Sequence, residues 1–222
     1  TVKFMRSLRE KKHRRREGKF LVEGLRLLTD ARESGLLPET LAMAAGRDPH
    51  PLLTELEQAV IANGGEVLEM NEEILGKITG KDNPQAVAGV FSEFNTALST
   101  IDRSAAPIWL VAQALRDPGN LGTMLRTGDA VGAGGLILID DCADPFSVEA
   151  VRASMGAIFT QRLAMARWEE FLPWLRGGAG QLVAASLRDP TDYRIAAYNA
   201  PCFLMVGNES QGLPEAYETE CD

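Results

Sequence analysis

Cysteine and histidine are scarce in this chain of 222 residues. Its three cysteines, Cys142, Cys202 and Cys221, form an odd set without CxxC spacing, which supports neither a disulfide framework nor a structural zinc centre. A reducing, cytoplasmic compartment is the expectation. The two histidines, His13 and His50, lie in a basic segment and a Pro-flanked loop, so neither a Ser-His-Asp triad nor a His-based metal site is expected. No run approaches the roughly 18 to 20 apolar residues of a membrane span. No GxGxxG follows a strand and GxxxxGK[ST] is absent, which removes the main signals for dinucleotide and P-loop nucleotide binding.

Basic residues are the minority, 23 against 31 acidic ones, a formal charge of −8. That total argues against a protein that coats nucleic acid over its whole surface. The balance is uneven, however. Residues 3–19 hold nine basic side chains against Glu10 and Glu17, a local +7, and leave the remainder at −15. Clustered Lys and Arg release counterions when they meet phosphates, so Arg9, Lys11, Lys12, Arg14, Arg15 and Arg16 are candidate RNA contacts. A solvated basic arm and an organelle-targeting presequence are the alternatives, the second weakened by the two glutamates.

The apolar pattern alternates helical and extended stretches. Leu25 to Ala31, Leu52 to Val60 and Glu72 to Ile78 have helical spacing, with Gly35 and Gly64-Gly65 as stops. Thr40 to Ala45, Glu66 to Met70 and Ala86 to Phe91 read as strands. This predicts a small α/β domain over residues 1–95, opened by a basic arm at 3–19, and a linker at 96–106. Beyond it, four apolar runs (Ile108 to Ala112, Leu136 to Ile139, Leu182 to Ala185 and Cys202 to Val206) alternate with helices at Leu121 to Val131, Ser147 to Met155 and Trp168 to Leu175. Buried strands separated by helices predict a mainly parallel sheet over 107–222, with function at the carboxyl ends of its strands. Val111 to Pro118 and Val183 to Pro190 agree at six of eight positions, so both loops are expected to leave the sheet at one edge. Gly132-Ala133-Gly134-Gly135 precedes a strand and reads as a turn. Asp140, Asp141 and Asp144 read as a solvated strand-end turn rather than a magnesium site, and no metal is expected.

Three stretches carry the chemistry. They are Asp117-Pro118-Gly119-Asn120-Leu121-Gly122-Thr123-Met124-Leu125-Arg126-Thr127, then Asp144-Pro145-Phe146 with Arg152-Ala153-Ser154-Met155-Gly156-Ala157, and Val206-Gly207-Asn208-Glu209-Ser210-Gln211-Gly212-Leu213. In order and spacing they resemble the first and second motifs of the SpoU (TrmH) family of RNA ribose 2′-O-methyltransferases, within the SPOUT superfamily. The first half, through Phe20-Leu21-Val22-Glu23-Gly24, resembles that family's small substrate-binding domain, which is similar to RNA-binding ribosomal proteins. The resemblance implies a trefoil-knotted α/β domain that holds S-adenosylmethionine and works as a homodimer. Ribosomal RNA is favoured over transfer RNA, because such a first half is common among rRNA-modifying members.

The resemblance also implies roles. The cofactor would lie against the loop around Ala185 to Leu187 and against Gly207, where a missing side chain lets the chain approach adenine. Arg126 stays protonated below about pH 12 and so clamps a substrate phosphate rather than acting as the base. Asn120 either caps its helix or orients Arg126 and the ribose, and Glu209 accepts hydrogen bonds from Asn120 or Arg126. Ser154 and Gly156 read as close packing rather than chemistry. The family's third motif, a Ser-Leu-Asn segment, would follow about Asp222 and is expected in a longer product. A non-catalytic RNA-binding or ribosome-assembly factor on the same scaffold is the alternative, and a small-molecule methyltransferase a third.

Overall fold

The computed structural model describes residues 1–46, 50–80, 85–188 and 190–222; Asp189, in the second of the two similar loops, lies outside them. In chain order the first elements are α1 (Val2–Ser7), α2 (Lys11–Glu17), β1 (Lys19–Glu23), α3 (Leu25–Glu33), β2 (Thr40–Ala44), α4 (Pro51–Ala62), β3 (Glu66–Met70), α5 (Glu72–Thr79) and β4 (Val87–Ser92). There follow β5 (Ile108–Gln113), α6 (Pro118–Ala130), β6 (Gly135–Ile139), α7 (Val148–Ala153), β7 (Arg162–Ala166), α8 (Trp168–Arg176), β8 (Gln181–Ala184), β9 (Cys202–Val206) and α9 (Glu215–Glu218). They divide into two compact units, Thr1–Glu93 with Asp144–Phe159, and Phe94–Ala143 with Thr160–Asp222.

The first unit is built on a sheet of order β1-β4-β2-β3, in which only β2 and β3 run parallel. Local chemistry sets its helix ends. Gly18, at φ 61, closes α2 and donates its N–H to the Arg14 carbonyl, a left-handed position that suits glycine. Asn71 caps α5 by accepting the Ile74 N–H at 2.8 Å, with Glu72 and Glu73 in the first turn where the helix dipole favours them. The basic segment is not a free arm. Met5 and Leu8 are fully buried with Leu21, Leu75, Ile78 and Val90 in one core cluster, because two apolar side chains set three residues apart on α1 and its turn face the sheet. Phe20, Leu21 and Val22 are likewise fully buried. They form β1, a strand the sequence reading passes over because it follows a run of charge. Ser154 is fully buried and donates its hydroxyl to the Val151 carbonyl at 2.7 Å. A Cβ on Gly156 would stand 2.7 Å from Asp30 Oδ2, which agrees with packing roles for both.

The second unit carries a five-stranded sheet of order β7-β6-β5-β9-β8, every ladder parallel. The four expected strands are all present. The fifth, β7, lies at an edge and is only partly buried, so it lacks the continuous apolar run by which buried strands are recognised. Trp109, Val111, Ile137, Phe171, Phe203 and Met205 fill the core, and burying each such side chain contributes roughly 1.5 to 3 kcal/mol. Because all five strands point the same way, the loops after β5, β8 and β9 leave the sheet at one edge. No helix among the described residues is long and apolar enough to cross a membrane.

Candidate active site

The loop after β5 turns at Ala114, a non-glycine residue at φ 49, which needs an external hold because L side chains disfavour that region. Asn208, just beyond β9, supplies it by donating Nδ2–H to the Ala114 carbonyl at 2.8 Å. Its Oδ1 meanwhile accepts the N–H groups of Ser210 and Gln211 and the Ser210 hydroxyl, an Asx-type turn. Pro118 then opens α6 behind Asp117, whose carboxylate accepts the Asn120 N–H at 2.7 Å. Asp117, not Asn120, is therefore the helix cap.

The Asn120 side chain is thereby released toward Glu209. Its Nδ2 donates to Glu209 Oε1 at 3.2 Å, and the same carboxylate accepts the Asp117 N–H at 3.0 Å and the Arg116 N–H at 3.1 Å. Partial burial pushes the Glu209 carboxyl up. The N–H groups of Asp117, Arg116 and Glu209 itself, with the Asn120 amide, outweigh that effect and hold it at about 2. Glu209 is thus an anion at any working pH, and it ties together loops at the ends of the adjacent strands β5 and β9.

Arg126 is not part of this knot of bonds. It lies six positions along α6 from Asn120, about 120° away around the helix. It is exposed, and its side chain makes no hydrogen bond or ion pair with another described residue. Of the two partners the sequence offered Glu209, the structure provides only Asn120.

The cofactor candidates separate. Ala185 lines a cavity of about 680 Å³ together with Val183, Leu204, Gln181, Ser186 and Tyr198. Its volume and its mixture of apolar and polar walls fit a nucleoside-containing cofactor. Leu187 is 97% exposed and Gly207 does not line the cavity. A Cβ at Gly207 would stand 2.5 Å from the Gly212 carbonyl oxygen, against the chain's own backbone.

Of the aspartates after β6, Asp141 is exposed, as a solvated turn would have it, whereas Asp140 and Asp144 are held by the fold. Asp140, at φ 63, accepts from Gln113 Nε2, the Trp168 N–H and the Tyr217 hydroxyl. Asp141 pairs with Arg116 at 2.7 Å. In the first unit, Asp144 pairs with Arg14 at 2.7 Å. No cluster of three or more His, Cys, Asp or Glu residues suited to a metal occurs among the described residues.

That ion pair corrects one RNA candidate. Arg14 is 3% exposed, and its guanidinium also donates to the Leu8 and Arg9 carbonyls at 2.8 Å, so it stitches α2 to its surroundings and offers nothing to a phosphate. Arg16 pairs with Glu17 at 2.7 Å on the surface. Arg9, Lys12 and Arg15 are exposed, and Lys11 is half-buried.

Comparison with known proteins bears on the same residues. The model of the SpoU rRNA Methylase family matches residues 107–222, and that of the MRM3-like substrate binding domain matches residues 1–89. The chain belongs to the SpoU rRNA methylase family. Among this SpoU chain's relatives is the 23S rRNA (guanosine(2553)-2'-O)-methyltransferase RlmP of Bacillus subtilis, 28% identical over 222 residues, which are all of this chain and 84% of that protein. The 23S rRNA (uridine(2479)-2'-O)-methyltransferase of Streptomyces viridochromogenes is 30% identical, over 94% of this chain and 74% of that one. The structure is also similar to that of the AdoMet-bound rRNA methyltransferase from Sinorhizobium meliloti, with TM-score 0.91 and 40% identity over 99% of this chain and 82% of that one. Asn208 and Asp117, which shape the candidate site of this SpoU chain, lie inside its motifs; Asp117 before Pro118 is a helix-cap signal that the sequence reading passes over, whereas Asn208 has its hold on Ala114 only in the folded chain.

Proposed function

We propose that the protein transfers the methyl group of S-adenosylmethionine to a ribose 2′-hydroxyl of ribosomal RNA. The first unit, Thr1–Glu93 with Asp144–Phe159, serves substrate binding and the second the chemistry. Family membership, relatives named as 23S rRNA 2′-O-methyltransferases and an AdoMet-bound neighbour support this reading. The observation that carries it is the hydrogen bond from Asn120, at the start of α6, to Glu209 beyond β9, with Arg126 exposed on the same helix and without a side-chain partner among the described residues.

When bound, S-adenosylmethionine supplies an electrophilic methyl on a sulfonium. The cavity walls at Ala185 and Ser186 would hold it, between apolar Val183 and Leu204 and polar Gln181 and Tyr198. Leu187 and Gly207 act through the shape of their loops. Arg126, permanently charged, clamps a substrate phosphate beside the hydroxyl, aligns it and stabilises the negative charge that grows as the hydroxyl attacks. A phosphate oxygen or a water takes the proton, since a guanidinium cannot. Asn120 and Glu209 hold the start of α6, and so the helix that presents Arg126, in one position.

Exposed Arg9, Lys12 and Arg15, with Lys11, provide sequence-independent RNA affinity. The working protein is a homodimer in a cytoplasmic setting, the latter supported by three free thiols. Mapping 2′-O-methyl sites in total RNA with and without the protein tests the proposal: one changed site in large-subunit rRNA is expected, and no changed site overturns it in favour of a non-catalytic RNA-binding factor.

A further inference from the structure

A second cavity, of about 760 Å³, lies wholly within the first unit, and its walls are cationic. Lys3 and Arg6 reach it from α1, Arg9 from the turn after α1, and Arg152 from α7. Glu10 and Glu149 are its carboxylates. None of the four cations makes an ion pair with a described residue, although Arg14, Arg16 and Arg32 elsewhere in the same unit all do. In a chain with eight more acidic than basic side chains, setting four cations that have no ion-pair partner among the described residues against two carboxylates in one concavity costs self-repulsion that an anionic ligand would relieve, and the concave walls focus the field.

Arg9 rests against Gly80, where a Cβ would stand 2.5 Å from Arg9 Nη1, and the left-handed φ of 74 at Gly80 makes glycine the favoured residue there. Arg152 comes from far along the chain: Ser147 caps α7 by accepting the Ala150 N–H at 3.2 Å, and buried Ala150 and Val151 anchor the helix. Among the described residues no Phe, Tyr or Trp lines the cavity and His13 is its one ring, so cations outnumber stacking surfaces and the walls suit the sugar-phosphate backbone.

We propose that this cavity is a phosphate-binding subsite for the backbone of the RNA substrate, with Arg6, Arg9 and Arg152 as its phosphate ligands. It rests on the RNA methyltransferase reading above, and moves part of the RNA contact from α2 to a pocket completed by α7. The test is binding of the protein to deproteinised 23S rRNA over a series of salt concentrations. The Arg6→Ala/Arg152→Ala protein is expected to bind about tenfold more weakly at low salt, with a slope of log affinity against log salt smaller by roughly 1.5 to 2, while S-adenosylmethionine binding is unchanged. Arg6→Lys/Arg152→Lys keeps both charges and should keep the slope. Parent-like affinity and slope in the alanine protein overturn the subsite, and so does a loss in the lysine protein equal to that in the alanine protein, since that marks packing rather than charge. Failure of the unsubstituted protein to bind the RNA would instead sink the methyltransferase reading, and the subsite with it.

Discussion

The Asn120 amide donates to the Glu209 carboxylate at 3.2 Å across 89 positions of sequence, and that bond joins the loops leaving two neighbouring parallel strands, β5 and β9. A single anion thereby fixes the start of the helix that carries Arg126. The site is accordingly sensitive to the charge and reach of residue 209, and much less so to bulk pH.

Glu209→Gln retains the length of the side chain but has one acceptor oxygen where two are used, so a backbone N–H at Arg116 or Asp117 loses its partner. The expected destabilisation is about 1 kcal/mol, the low end because the group is exposed, read as a melting shift of roughly 2 to 4 °C. Methyl transfer should fall about 100-fold, since small displacements of a positioned group are costly. The carboxyl titrates at about 2 against an ordinary 4.5, so its contribution is complete above about pH 4.5 and is lost only as pH falls toward 2. Equal stability of the two proteins at pH 7 would contradict this.

Arg126→Ala should abolish incorporation of labelled methyl groups into rRNA, with S-adenosylmethionine binding retained by calorimetry. Arg126→Lys keeps the charge but loses the planar fork, and should recover only a small part of the rate. An active alanine protein removes the phosphate-clamp mechanism.

Gly207→Ala places a methyl group 2.5 Å from the Gly212 carbonyl oxygen, and backbone rather than a flexible side chain must give way. A loss of about 1 to 3 kcal/mol in urea denaturation is expected, with weaker cofactor binding as a consequence of loop displacement. Unchanged stability would show that the loop relaxes freely.

Asp144→Ala leaves Arg14 buried without its counter-charge, and breaking such a pair costs about 3 to 5 kcal/mol. Denaturant titration should show that loss. If Arg14→Ala instead weakens RNA binding with no change in stability, Arg14 returns to the list of RNA contacts.

Tyr217 stacks on Trp168 with ring centroids 4.0 Å apart and donates its hydroxyl to Asp140 at 3.0 Å. Burial, that hydrogen bond and the charges of Asp140 and Glu169 push its phenol up to about 12. The neutral form is favoured in the folded state, so its stabilisation is complete below about pH 10 and disappears as pH rises toward 12. Tyr217→Phe should flatten the alkaline fall in melting temperature, and an unaltered pH profile would count against this assignment.

Most elements were legible because periodicity, caps and turn chemistry operate over a few residues. The apolar runs around Val111, Ile137, Leu182 and Phe203 had to be buried strands, and the helices between them required a parallel sheet. β1 and β7 escaped for local reasons, one behind a charged segment and the other a half-exposed edge. Residues of the site were visible through their motifs, but not their division of labour. Asp117 before Pro118 is a local cap signal, but nothing local shows that the Asn120 side chain it frees meets Glu209, or that a Cβ at residue 207 would meet the backbone of Gly212.

By itself, then, the sequence determined the α/β class, the parallel sheet and the segments that carry the chemistry, since each follows from short-range patterns of polarity and backbone preference. Only the tertiary structure decided which charges are available. Arg14 looked like its neighbours in the basic run, yet it meets Asp144 from 130 positions away and is spent on the fold. Arg152 belongs to a motif far along the chain, yet it lines one cavity with Arg6 and Arg9. Whether a cation is paired or free depends on which distant groups chain folding brings within a few ångströms of it, and a local pattern carries no information about that.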